Sequence, residues 1–185
     1  MRITFIRHGK VNMPWEKKYS SKDYDQAWLD YDACDILPIS GRLEIRPGAK
    51  VICTGFKRTQ QTAEQFLGVS DYSIVEKLFD EVPLRSFMDT KRPVNRVLMT
   101  FLGRVEWYLP MKRQPERRKA SRARAEKAVD YIESLGDGDY VIVMHGFFMR
   151  SLGAILRRRG YKMTNQPVFA VRNLHTAVAE KEIRS

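Results

Sequence analysis

Two segments of the chain share one ending. Phe5-Ile6-Arg7-His8-Gly9 and Val143-Met144-His145-Gly146 are apolar runs that each close on His-Gly. Such runs read as buried strands, and in an open parallel sheet ligands gather at the carboxyl ends of the strands. Both histidines then stand at that edge, with Arg7 beside them. A third apolar run, Val51-Ile52-Cys53, leads into a connection that carries Arg58. Two arginines and two histidines converging on one point form a cationic site with planar donors. That set suits a phosphate dianion, which a guanidinium grips through two parallel hydrogen bonds. A lone histidine at a strand end is an ordinary structural residue. The information lies in the three segments and their order.

The elements that must position these residues alternate between strand and helix. Strands are expected over Arg2–Ile6, Val51–Cys53, Ser73–Val75, Tyr140–Met144 and Thr176–Ala179. Helical spacing runs over Lys57–Leu67, with Gly68 as its stop, and over Phe147–Arg159, stopped by Gly160. Val97, Leu98, Phe101, Leu102, Val105 and Tyr108 recur at three- and four-residue steps, which predicts a helix over Val94–Leu109 with that stripe facing the core. A further helix is expected over Pro115–Leu135, with Pro115 in its first turn. The polar, aromatic stretch Lys10–Asp35 reads as loop with one helical piece around Tyr24–Tyr31. Its aromatic residues are mostly packing residues, in a loop that follows the first His-Gly strand and so borders the site. Trp107 reads as core. The alternation gives an α/β fold, a three-layer sandwich with a mostly parallel central sheet and helices on both faces.

With these segments in hand, the chain resembles the histidine phosphatase superfamily, the phosphoglycerate-mutase-like fold, as an outlying member. The resemblance rests on Arg7-His8-Gly9 after the first strand, on Arg58-Thr59-Gln60-Gln61-Thr62-Ala63, and on His145-Gly146 with Arg150 a turn on. It implies that His8 is the nucleophile, forming a phosphohistidine. It implies that Arg7, Arg58 and His145 bind the phosphate oxygens and that no metal or other cofactor is needed. A carboxylate following a Leu-x-Glu-like pattern donates the leaving-group proton in such proteins. The counterpart is Leu78-Phe79-Asp80-Glu81, with Glu81 preferred and Asp80 second. Departures from the family pattern are Lys10-Val11 after the first His-Gly, Thr54-Gly55 after the second strand, and Met144 before His145. Asn12 stands as a further phosphate contact. The short Pro38–Val51 connection leaves little room for the helix that members often carry there.

Composition bounds the rest. The 185 residues carry 43% hydrophobic and 30% charged side chains, which fits one globular domain over 1–185. No apolar run approaches a membrane span or a signal-peptide core, so a cytoplasmic, membrane-free protein is expected. Cys34 and Cys53 form neither a CxxC pair nor a scaffold and read as reduced. The three histidines offer no zinc spacing, and His175 reads as structural. The net charge of +11 is concentrated: twelve basic and three acidic residues lie between Lys91 and Lys127. This segment forms a basic helical insertion at about 85–125, where the family commonly inserts substrate-defining elements. The expected partner is a small-molecule or other phosphorylated substrate, a polyanionic one included. The competing readings are a phosphomutase with the same chemistry and a nucleic-acid or polyanion binder using residues 91–127. Steep salt dependence would mark nucleic-acid binding.

Overall fold

The computed structural model describes residues 1–109, 111–165 and 171–182. In chain order the elements are β1 (Arg2–Arg7), β2 (Lys18–Tyr19), α1 (Ser21–Ala33), β3 (Lys50–Cys53) and α2 (Lys57–Thr62), which a wider π turn extends over Ala63–Leu67. Then follow β4 (Ser73–Ile74), β5 (Val94–Asn95), α3 (Arg96–Tyr108), α4 (Arg118–Ser134), β6 (Asp139–Met144), α5 (Gly146–Arg158), β7 (Lys162–Thr164) and β8 (Thr176–Glu180). Six strands form one sheet in the order β4-β3-β6-β1-β8-β7. The first four are mutually parallel, and β8 and β7 add antiparallel pairings at one side. β2 and β5 pair separately as a short antiparallel ribbon.

Side chains alternate between the two faces of the sheet, as the period of a strand requires. Ile3, Phe5, Ile52, Tyr140, Ile142 and Met144 point to one face, where Ala128, Ile132, Phe148 and Leu152 of α4 and α5 cover them. Ile6, Val51, Cys53, Val141 and Val143 point to the other face and pack on Ala63 and Leu67. Both faces are therefore apolar, which explains the continuous apolar runs of β1 and β6. Burying each of these large side chains contributes about 1.5–3 kcal/mol. The helices end where local chemistry ends them. Ser20 caps α1 by accepting from the Asp23 N–H, and Asn95 caps α3 by accepting from the Val97 and Leu98 N–H groups. Gly68 closes the α2 extension with φ +65, a conformation that favours glycine.

The strands and helices expected from the sequence are present; β2, β5 and β7 are additional, with Val94 and Asn95 in β5 rather than in the helix expected from Val94, and three helices differ further. The helix α1 is longer than Tyr24–Tyr31, because Ser20 supplies a cap upstream. The helix α4 begins at Arg118 rather than Pro115. Glu116 is held outside the helix by Arg124, with contacts of 3.0 and 3.1 Å. The largest difference is α3. Its buried residues are Met99, Gly103 and Glu106, whereas Val97, Leu98, Phe101 and Tyr108 are exposed. Gly103 lets the helix lie close to the 84–85 segment, and Glu106 accepts from the Gln114 side chain at 2.7 Å. The helix docks through a small residue and a buried polar pair, so its periodic apolar stripe faces outward. Trp107 is half-buried, its Nε1 donating to Ser121 Oγ at 2.9 Å.

As expected, no helix occupies the Pro38–Val51 connection among the described residues, where Leu43 and Ile45 pack on the second core. Cys53 is buried and Cys34 half-buried, both as free thiols. No described helix is long and apolar enough to cross a membrane.

A Cβ at Gly103 would lie 2.8 Å from Leu84 Cδ1 and 3.0 Å from the Arg85 carbonyl oxygen. Gly103→Val therefore forces α3 off the 84–85 segment and is expected to lower stability by about 1–3 kcal/mol. Urea unfolding checks this. A variant as stable as the parent would show that α3 does not dock through this glycine.

Candidate active site

The parallel pairing of β1 with β6 sets Arg7 opposite Met144, so His8 and His145 leave the sheet at the same level. Their rings lie 5.2 Å apart between centroids. The His8 N–H donates to the Met144 carbonyl at 3.0 Å and extends the ladder by one bond. His8 lies at the floor of the cavity and is 2% exposed. Its Nδ1 is 2.7 Å from the Gly9 carbonyl oxygen. A carbonyl only accepts, so Nδ1 carries the proton and Nε2 keeps its lone pair. Burial holds the imidazole well below its ordinary value of 6.5, and the Arg58 and Arg7 guanidiniums lower it further against the opposing Gly9 bond. The ring is neutral near pH 7.

His145 is fully buried and neutral for similar reasons: burial first, then Arg58, His8 and Arg7. Arg58 Nε donates to its Nδ1 at 3.4 Å, which leaves the proton on Nε2, 3.1 Å from Thr54 Oγ1. Thr54, a departure from the family pattern, therefore holds the second histidine. Arg58 is buried at the start of α2, with its guanidinium 4.2 Å over the Phe56 ring and 5.1 Å from the Tyr31 ring. Its Nη1 pairs with Asp32 at 2.8 Å. Burial raises the Asp32 carboxyl while Arg58 pulls it back. The Gln-Thr-Ala segment fixes the turn after the first histidine. Thr62 Oγ1 donates to the Arg58 carbonyl at 2.6 Å and accepts from the Gly9 N–H at 2.8 Å.

Arg7 donates through Nη1 to the Val171 carbonyl, while its buried Nε has no partner among the described residues. Gly146 allows this approach, since a Cβ there would meet the Arg7 side chain at 3.0 Å. Asn173 Nδ2 donates to the His8 and Gly9 carbonyls at 3.0 and 3.1 Å. Glu81 lies across the pocket. Its Oε1 accepts from the Val82 and Phe148 N–H groups at 2.9 Å each, and its Oε2 from the Phe147 N–H at 3.0 Å. Glu81 thus caps the first turn of α5.

Arg7, His8, Arg58 and Glu81 line one cavity of about 410 Å³, with His145 beneath it. Asp80 does not line the cavity, and burial raises its carboxyl, whose Oδ1 lacks a partner among the described residues. Asn12 does not line it either; its side chain is exposed and its N–H bonds the Asp35 carbonyl at 2.8 Å. The His175 ring donates from Nε2 to the Asn165 carbonyl, 2.7 Å away.

The cavity also holds residues that the sequence motifs did not single out, among them Asp32, Arg104 and Arg85, with Phe56 and Leu84 on its apolar side. Arg104 donates to the Val82 carbonyl at 3.0 Å and lies 3.8 Å over the Phe147 ring. Trp28 and Tyr31 border the cavity, as their place after the first strand suggested. Arg104 was hidden in a basic run, and Asp32 in a polar stretch without a period. Among the described residues no group of three or more His, Cys, Asp or Glu side chains is placed to hold a metal ion.

A family model described as the histidine phosphatase superfamily (branch 1) matches residues 3–181. No curated protein matches the chain. Among solved structures, a phosphoserine phosphatase variant from Entamoeba histolytica, in complex with phosphoserine, superposes with a TM-score of 0.56 at 12% identity, covering 96% of this chain and 89% of its own. The product of an open reading frame of Mycobacterium tuberculosis gives 0.54 at 16% identity, with 98% and 91% covered. The alpha-ribazole phosphatase of Shigella flexneri gives 0.52 at 20% identity, with 84% and 79% covered. At these identities the likeness is one of fold.

The two buried histidines make stability depend on pH. The unfolded chain takes up their protons below about 6.5, and the folded protein, with both values depressed, does not. The unfolded state then binds more protons, so stability is full above that value and falls as the pH drops below it. Each histidine contributes up to about 1.4 kcal/mol per pH unit. Urea unfolding between pH 7.5 and 5 measures the slope. A flat profile would mean that neither ring is held neutral by burial.

Proposed function

Because the chain belongs to the histidine phosphatase superfamily and is a phosphatase of that type, we propose that it is a phosphomonoesterase that works without metal through a phosphohistidine on His8. The observation that carries this reading is the fixed tautomer of His8, whose Nδ1–H bond to Gly9 leaves the Nε2 lone pair free in a cationic pocket. In the first step Nε2 attacks phosphorus and the bond to the ester oxygen breaks. The leaving oxygen takes the departing electron pair and a proton from Glu81. In the second step water attacks phosphorus, its proton passes to the Glu81 carboxylate, and the P–N electron pair returns to His8. Arg7 and Arg58 flank the transferring group, and His145 acts from beneath through its bond to Arg58. Positioning and fixed positive charge supply most of the catalysis in such transfers. Glu81 Oε1 accepts two N–H bonds and Oε2 one, so Oε2 keeps a lone pair for the proton.

The substrate in this reading is a small phosphate ester with an apolar or planar body, since Trp28, Tyr31, Phe56 and Leu84 wall the cavity beside the phosphate residues. Fold relatives whose names give phosphoserine and alpha-ribazole phosphatase activities are consistent with a small phosphorylated molecule. The basic segment at about 85–125 is read as an insertion on a single domain, contributing Arg85, Arg104 and Pro115 to the cavity wall. We take the enzyme to be cytoplasmic, in keeping with two free thiols.

His8→Ala should abolish hydrolysis of every phosphate ester tested while keeping the melting temperature. Rapid quenching of the parent should trap acid-labile, base-stable phosphate on protein, and EDTA should leave turnover unchanged. Undiminished turnover by the alanine variant would overturn the reading. Loss of activity in EDTA, restored by a divalent ion, would overturn its metal-free part.

Glu81→Gln should slow alkyl phosphates by about 10²–10⁴, the span of general acid catalysis. It should slow nitrophenyl phosphate far less, because nitrophenolate leaves without a proton. Equal losses on both substrates would give Glu81 a structural role as the cap of α5. A leaving-group-dependent loss at Asp80→Asn alone would move the acid there.

A further inference from the structure

A second cleft, of about 260 Å³, opens between α3, α4 and α5 and shares no lining residue with the catalytic cavity. Its charged walls are Arg118 and Arg122, one turn apart on α4, and Arg150 and Arg158, two turns apart on α5. Trp107, Tyr108 and Phe147 supply flat apolar surface between them. No acidic side chain lines it.

The acids of α4 are drawn to its far end. Glu126, Asp130 and Glu133 all pair with Arg159 at 2.7 to 3.0 Å, and Glu126 also takes Arg158 at 3.2 Å. Among the described residues Arg118, Arg122 and Arg150 make no ion pair and no side-chain hydrogen bond. Arg118 stacks over the Tyr108 ring at 4.3 Å, and Arg150 lies 5.4 Å from the Phe147 ring centroid. Stacking on rings orients a guanidinium while leaving its N–H fork open. Three open forks around one concave site, with like charges left uncompensated, are the arrangement that a multivalent anion would neutralise.

From this geometry we infer that the α3–α4–α5 cleft is a binding site for a diphosphate group, held by the open guanidiniums of Arg118, Arg122 and Arg150. Three free positive charges match a diphosphate better than a single phosphate dianion. The diphosphate is either free pyrophosphate or part of a nucleoside diphosphate, whose planar base would lie against the aromatic wall. The site is separate from the phosphoryl-transfer chemistry of His8, and its existence does not depend on that chemistry.

Amide-resolved NMR titration separates the two cavities, because signals of residues 118–122 and 150–155 report on the cleft and those of residues 7–9 and 58 on the catalytic pocket. Pyrophosphate should shift the cleft signals saturably, and orthophosphate should do so at least tenfold more weakly. The double variant Arg118→Ser, Arg122→Ser should weaken the cleft response at least tenfold and leave any response at residues 7–9 unchanged. Both side chains are exposed, so the melting temperature should hold. Arg122→Lys keeps the charge without the fork and should lose less. ADP binding as tightly as pyrophosphate assigns the site to the diphosphate alone, and tighter ADP binding assigns it to a diphosphate carried by a planar ring. Pyrophosphate shifts confined to the catalytic pocket would overturn the inference. So would an unchanged response in the double variant, or orthophosphate binding as tightly as pyrophosphate.

Discussion

The parallel pairing of β1 with β6 is the constraint on which the site depends. Its register sets Arg7 against Met144, so the two His-Gly ends leave the sheet side by side. A shift of one residue would turn every core side chain of β1 to the wrong face. The register is therefore fixed by the apolar residues of both faces, and the geometry of the candidate site follows from the same packing that stabilises the domain. β3 adds the third end, because Cys53 lies opposite Val143 and delivers Thr54 and Arg58 to the same edge.

Around that edge the electrostatics are settled before any ligand arrives. Two imidazoles are kept neutral by burial and by neighbouring guanidiniums, and each has its tautomer set by a specific partner: Gly9 for His8, Arg58 and Thr54 for His145. Arg58 is oriented by Asp32 on one side and His145 on the other. In the proposed reaction an incoming phosphate would meet charges already in place, so little reorganisation would remain. The Asp32 carboxylate is a counterweight, since it shares the Arg58 charge that a phosphate would use.

The upper wall of the cavity comes from outside the sheet. Gly103 lets α3 approach the 84–85 segment, which brings Arg104 over Phe147, directly after the His145-Gly146 turn. Glu81 ties the 81–82 segment to the first turn of α5 through three backbone N–H groups. The catalytic edge, the 81–85 segment and the basic helices are thus mechanically joined at the start of one helix. The second cleft is lined by the same Phe147.

The sequence by itself determined five of the six strands of the sheet, β7 being the one it did not mark, and the residues converging at its edge. Continuous apolar runs bounded by turn residues have few structural solutions, and three such runs ending in Arg-His-Gly, in a connection to Arg58, and in His-Gly have fewer still. The family resemblance pointed to Glu81 or Asp80 after Leu78, and the fold sets Glu81 in the cavity wall. Tertiary structure decided what periodicity could not. The stripe Val97, Leu98, Phe101 has the spacing of a core face, yet α3 buries Met99, Gly103 and Glu106 instead. Helical spacing says which residues share a face but not which face meets the protein, and here a glycine contact and a buried Glu106–Gln114 bond decided it. Asn12 was drawn toward the phosphate by its nearness to His8 in the chain, but the backbone after Gly9 turns away to pair Val11 with Ile36. Asp32, Thr54 and Arg104 became site residues only through contacts across 22 to 91 positions of sequence, separations that no local pattern records.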